Sequence, residues 1–253
     1  MHDYGSDKPD RRLGMKLCDI THAPDVDVST YGPAATAAQD ASGVTTLQAI
    51  NAVGLGAALS RKQLDGLISG LRGHAESAAA AASIVPVKVR EDGAWQGGLG
   101  KHFTATARAA VNAQCDAQPG DLLLLSAGPR HAPYLMLGNA RLACAALQEE
   151  LLDDDVVADL RGGDDWRSRA DVFWVVNFPA FEEVGEDMTH TLDDGSQVPA
   201  LKASHHPFTL PIPEHVERLS ELDYTSPDEV LSIRSQHYDL VCNGVELGGG
   251  SIR

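Results

Sequence analysis

Hydrophobic and polar positions alternate along this chain in blocks that predict distinct elements. Thr45 to Val53 reads as a strand and is followed by Gly54 and Gly56. Ser60 then stands as an N-cap, and Gln63 completes the capping-box pattern. Leu64, Leu67, Ile68 and Leu71 follow at helical spacing, which predicts an amphipathic helix over 61–72. Ile84 to Val89 predicts a strand, and Pro86 within it argues for an edge position. Pro119-Gly120 makes a turn before Leu122 to Leu125, a continuous apolar run expected of a buried strand. Leu135 to Leu152 returns to helical spacing. Such alternation predicts an α+β module that folds on its own.

The pattern changes in the C-terminal third. Asp153 to Asp155 and Arg161 to Asp165 form a polar break, after which Val172 to Phe178 reads as a buried strand. Glu182 to Val198 is acidic and turn-rich, as an exposed hairpin would be, and Pro211 to Asp228 predicts surface loop with a short helix. Tyr238 to Cys242 and Val245 to Leu247 flank Asn243-Gly244, the strongest short hairpin signal in the chain. This zone is expected to be antiparallel.

Composition narrows the function classes. The 253 residues are 43% hydrophobic, enough for one large domain or two modest ones. Lys and Arg number 20 against 36 Asp and Glu, a formal charge of -16 that repels phosphate backbones. A nonspecific nucleic-acid binder is therefore disfavoured, whereas a local RNA contact is not. No apolar run approaches the roughly 20 residues of a membrane helix. Neither a signal-peptide core nor a C-x-x-C pair is present, and Cys18, Cys115, Cys144 and Cys242 read as reduced thiols. A soluble, cytoplasmic protein is expected.

Several motifs fail on inspection. Gly97-Gly98-Leu99-Gly100-Lys101 suggests a phosphate loop, but Trp95 and His102 occupy places where that loop needs Gly and Ser or Thr. No G-x-S-x-G elbow and no H-E-x-x-H occur. His205-His206 are neighbours whose side chains diverge on an extended segment, so a shared zinc is disfavoured. Gly248-Gly249-Gly250 is either a loose tail or a place of close backbone approach. Glu246 and Arg253 bracket this run at an odd separation that an ideal strand would send to opposite faces, although a glycine bulge restores a common one. An acid for a metal-bound nucleotide and a guanidinium for a carboxylate or phosphate would then line one cleft.

Four segments together resemble one family. They are Tyr4 to Arg11 (YGSDKPDR), Phe173 to Glu182 (FWVVNFPAFE), His205 to Thr209 (HHPFT) and Tyr238 to Arg253 (YDLVCNGVELGGGSIR). In this order they resemble the bacterial-type aspartyl-tRNA synthetases, and Ser60 to Asp65 resembles the start of that family's inserted GAD domain. The resemblance implies an α+β fold: part of a class II synthetase antiparallel sheet carrying an inserted α+β, GAD-like domain. Residues 1–23 would be an N-terminal piece of the catalytic domain, 24–165 the insertion and 166–253 a second catalytic piece. It implies formation of aspartyl-adenylate from L-aspartate and ATP, then transfer to tRNA. His205 matches the histidine that contacts aspartate, and Arg253 the arginine that grips its side-chain carboxylate. Glu246 matches the acid that binds ATP through Mg2+, with His206, Gly248, Gly249 and Gly250 as lesser candidates. ATP and Mg2+ enter as a substrate complex, no tightly bound cofactor is expected, and the whole enzyme would be a homodimer away from membranes.

The departures from the family pattern shape the expectation further. Asn177 stands where the family commonly has Asp, and the loop from Thr209 to Tyr238 is lengthened. The anticodon-binding barrel, motif 1, the motif 2 arginine and the motif 3 G-L-D-R are missing from this sequence. A fragment nearly inactive as a ligase is thus expected, because preorganised charge at the triphosphate is lacking. The alternatives are a non-catalytic, stand-alone GAD-domain protein that binds RNA or a protein partner, and a decayed gene.

Overall fold

Leu122, Leu123, Leu124 and Leu125 are wholly removed from solvent, and a mixed helix-and-sheet unit is built around them. The structure, a computed structural model, describes residues 2–27, 45–75, 77–129, 131–184 and 188–253. It comprises two compact units, Met1–Arg169 and Ala170–Arg253.

The first unit runs β1 (Cys18–Asp19), β2 (Thr45–Ala52), α1 (Leu55–Ala58), α2 (Arg61–Gly73), α3 (Ser77–Ala80), β3 (Val85–Val89), β4 (Trp95–Gln96), α4 (Ala105–Gln114), β5 (Leu122–Pro129), α5 (Ala132–Leu151) and α6 (Asp154–Arg161). Its sheet is antiparallel throughout, in the order β1-β2-β5-β3-β4. The central β5 sends Leu123 and Leu125 into a cluster with Trp95, Phe103 and Val111, while Leu122 and Leu124 meet Leu55, Ile68 and Leu137. Both faces are covered, which is why this strand is apolar without alternation. Pro86 lies on β3, an interior strand by order. It pairs with Leu124 on one side, while β4 reaches only Lys88 and Val89 on the other, so the proline keeps a locally open edge.

Local signals explain the helix boundaries. Ser60 accepts from the Gln63 amide and Gln63 Oε1 from the Ser60 amide at 3.0 Å, closing the capping box of α2. Within the polar break, Asp153 and the left-handed Gly162 (φ 79°) bound α6, a helix the apolar pattern does not predict.

Residues 2–27 also pack within this unit. Cys18 and Asp19 pair with Ala49 and Gln48 of β2. A methyl group on Gly5 would collide with the Tyr134 carbonyl and the Gly138 amide of α5, so two glycines meet at a close backbone crossing. The buried Arg141 donates to the Gly14 carbonyl at 2.7 Å and to the Asp10 carbonyl, and Arg161 donates to the Leu13 carbonyl at 2.8 Å. Burial pushes the Asp10 carboxyl up, but the hydrogen bond and charge of Arg12 outweigh it and hold that carboxyl below its usual range. In its contacts, then, the segment 2–23 sides with the zone that follows it.

The second unit is a set of short antiparallel pairings: β6 (Val172–Val175), β7 (Phe178–Pro179), β8 (Phe181–Glu183), β9 (Thr189–Thr191), β10 (Gln197–Pro199), β11 (Leu201–Ala203), β12 (Arg234–Ser235), β13 (His237–Cys242) and β14 (Val245–Ser251). The sheet β14-β13-β6 is joined by the pairs β9–β10, β8–β11 and β7–β12. Asn243 (φ 51°) and Gly244 (φ 84°) form the predicted tight turn, both in the left-handed region such a hairpin requires. The expected hairpin over 182–198 is present as β9 and β10, although residues 185–187 fall outside the described residues. Helices α7 (Val216–Glu221) and α8 (Pro227–Leu231) occupy the long loop.

One expectation is overturned here. Val172 to Phe178 does not form a continuous buried strand, since Val172, Trp174 and Val176 are 50%, 59% and 56% exposed. β6 is an edge strand, and it ends before Asn177, whose φ of 59° turns Phe178 into the separate pairing with Ser235. Asn tolerates that left-handed conformation better than most residues, which gives the Asn at this position a conformational reason.

Candidate functional site

The Asn243-Gly244 turn sets β14 against β13 in a register that is not uniform. Val241 lies opposite Glu246 and Leu240 opposite Gly248, so Leu247 is an extra residue in the pair. Such a bulge moves every later residue of β14 to the other face. Cross-strand partners share a face, so Glu246, Gly249 and Ser251 lie on the face of Val241, Asp239 and His237. Arg253 follows two residues beyond the end of the strand at Ser251.

The glycines of the run have unequal roles. A methyl group at Gly249 would collide with an Asp239 carboxylate oxygen, and one at Gly250 would lie 2.8 Å from the Tyr238 hydroxyl. Gly248 has open space around it. Asp239 is almost fully buried, and its Oδ1 lies 3.2 Å from His237 Nε2. The Asp239 carboxylate thus fits because the strand beside it offers no Cβ at Gly249.

Residues 204–210 form a loop clamped at both ends. The Ser204 amide donates to the Ala180 carbonyl at 3.0 Å, and the Leu210 amide donates to the Ile252 carbonyl at 2.9 Å. The second bond draws the loop to the end of β14. There the Arg253 guanidinium lies 4.1 Å from the Phe208 ring centroid, and Phe208 stacks on His206 at 4.7 Å. His205 turns the other way and stacks on His237, with ring centroids 3.6 Å apart. The adjacent histidines therefore diverge, as their spacing predicts. Phe178 stands perpendicular to both His205 and His237.

Across residues 1–253 the chain matches the family described as tRNA synthetases class II (D, K and N). The chain belongs to these class II synthetases. Similar proteins include the mitochondrial aspartate–tRNA ligase of Dictyostelium discoideum, 32% identical over 99% of this chain and 33% of its own length. The aspartate–tRNA(Asp/Asn) ligases of Aquifex aeolicus and Desulfotalea psychrophila are 33% and 35% identical over the whole chain, which covers 36% and 35% of them. The chain thus spans about a third of the length of the curated relatives it matches.

In this class II synthetase chain the structure brings His205 to His237, which in turn contacts Asp239, and Arg253 to Phe208, which in turn stacks on His206. Glu246 is exposed on β14, on the same face as Asp239. Among the described residues no cluster of three or more His, Cys, Asp or Glu side chains could hold a metal ion by itself. One or two carboxylates suit a Mg2+ carried in by nucleotide phosphates. Among the described residues, no helix is long and apolar enough to cross a membrane. Sequence reasoning missed His237 and Asp239. The available signal was an Asp within the apolar run Tyr238 to Cys242, facing a glycine run across a tight turn.

Proposed function

We propose that the chain is the part of an aspartate–tRNA ligase that holds aspartate and one side of the nucleotide. In the whole enzyme the α-carboxylate of L-aspartate attacks the α-phosphorus of ATP and pyrophosphate leaves. The aspartyl group then passes from the adenylate to the terminal ribose of tRNA. Arg253 receives the substrate's side-chain carboxylate through paired N–H donors, a task a guanidinium performs better than an ammonium. His205 contacts the same substrate, and Glu246 takes the Mg2+ that accompanies ATP. Gly248, Gly249 and Gly250 allow the backbone to pass close beneath the adenylate, with His206 at the margin of the site.

The observation that supports this reading best is the bulge at Leu247, which puts Glu246 on the face of Gly249 and Ser251, two residues before Arg253. Residues 24–165 are assigned to a GAD-like insertion and 166–253 to a catalytic piece. Residues 1–23 are assigned to the catalytic domain by their motif while packing in the first unit. The homodimer, the cytoplasmic setting and the use of Mg-ATP rest on the family. Isolated, the chain binds without appreciable turnover, since motif 2 and motif 3 arginines are absent from it.

Titration with a nonhydrolysable aspartyl-adenylate analogue tests the proposal. Arg253→Ala is expected to weaken binding by about ten- to a hundredfold, and Arg253→Lys by less. Absence of binding by a folded wild-type chain would count against the reading. It would favour a stand-alone insertion-domain protein that takes RNA or a protein partner, for which the two-sided core of the first unit speaks.

A further inference from the structure

Four residues of the second unit form a column from the glycine run to the loop of His205. Gly249 leaves the space that the Asp239 carboxylate fills. Asp239 Oδ1 faces His237 Nε2 at 3.2 Å, and both side chains are close to buried. That contact with the carboxylate restrains the plane of the His237 ring. Nδ1 of His237 is buried with no hydrogen-bond partner. Over the ring so held lies His205, 3.6 Å away and tilted by 20°, while Phe178 packs perpendicular to both rings at 5.1 and 4.9 Å.

This column has a consequence for binding. His205 is exposed and sits on a loop, where a side chain loses rotamer freedom when it engages a ligand. Stacking on a fixed ring removes part of that freedom beforehand, which is the way preorganisation raises affinity. Resting on the aspartate-binding reading above, we propose that His237 is a positioning residue. Its ring, held against the Asp239 carboxylate that fills the gap left by Gly249, presents His205 to the aspartate moiety. His237 touches no substrate in this scheme. Its contribution passes through the plane of the His205 ring, so a side chain of similar volume without a flat face does not replace it.

Two substitutions in the 253-residue chain separate this role from space filling. His237→Gln keeps an N–H donor for Asp239 and removes the flat face. His237→Phe keeps the face and removes the donor. Each is titrated with the nonhydrolysable aspartyl-adenylate analogue, and the His205 ring protons are followed by NMR. His237→Gln is expected to weaken the analogue by about tenfold at an unchanged melting temperature, the upper end for a stacked ring pair. It also abolishes the upfield displacement that the ring beneath imposes on the His205 protons. His237→Phe is expected to stay within about threefold of wild type and to retain that displacement. The double variant His237→Phe with Asp239→Asn removes the charge that Phe alone leaves buried, and it is read in the same way. Wild-type affinity in His237→Gln, or equal weakness in the Gln and Phe variants, overturns the inference alone. Failure of the folded wild type to bind overturns the proposed function and this inference together.

Discussion

The two units solve the problem of burial differently. In the first, a five-stranded sheet is covered on both faces, and its central strand has four successive leucines with no exposure. In the second, the described residues form nine strands of two to seven residues that pair in four small groups, with Trp174, Val245 and Leu247 left largely exposed. Buried apolar area contributes roughly 25 cal/mol per Å², so the first unit holds itself together by its core. The second relies more on turns, bulges and clamping hydrogen bonds. These same devices place its polar groups, which is why every candidate site residue lies there. A covered, apolar sheet has no face to offer a charged ligand.

The largest effect expected from this contrast concerns single leucines. Leu124→Ala in the first unit should cost about 2–5 kcal/mol, and Leu247→Ala in the second under about 0.5 kcal/mol. Urea unfolding measures both, and equal costs would break the comparison. Gly249→Ala comes next, because a methyl group there collides with the Asp239 carboxylate. It should cost about 1–3 kcal/mol, whereas Gly248→Ala, with open space, stays within about 0.5 kcal/mol. Thermal melts of the pair test whether the glycine run is shaped by that carboxylate or is merely loose.

The smallest effect is chemical rather than energetic. The hydrogen bond from Cys115 lowers the Cys18 thiol to about 7, against the opposing effect of burial and with help from Lys16. Burial raises Cys144 to about 12, and the bond with Cys18 together with burial raises Cys115. The thiolate is the reacting form, so Cys18 should be alkylated by iodoacetamide first, with its rate falling about fivefold from pH 7 to pH 6. Cys144 should react only after unfolding. Peptide mass mapping over a pH series checks the order, and early labelling of Cys144 would show the first unit to be looser than its core implies.

Legibility in the sequence followed the range of the interactions. The capping box at Ser60, the apolar periodicity of α2, the run at Leu122 and the Asn243-Gly244 turn all depend on residues close in sequence, and each was readable. Val172 to Phe178 was misread because an apolar strand looks the same at an edge as at a centre. Only its neighbours separate the two: β13 on one side and, among the described residues, none on the other. His205, Glu246 and Arg253 were found through their resemblance to a family. Their partners His237 and Asp239 were missed, because the value of a residue on β13 depends on which residue of β14 stands opposite.

By itself, then, the sequence determined the type of most elements, the hairpin and the family, because periodicity, caps and turn residues act over a few positions. Tertiary structure decided which strands have neighbours on both sides, and where residues 2–27 pack. It also decided that a single extra residue at Leu247 brings Glu246 to the face of Asp239. These outcomes rest on long-range pairing register, in which a shift by one residue reverses every side chain that follows.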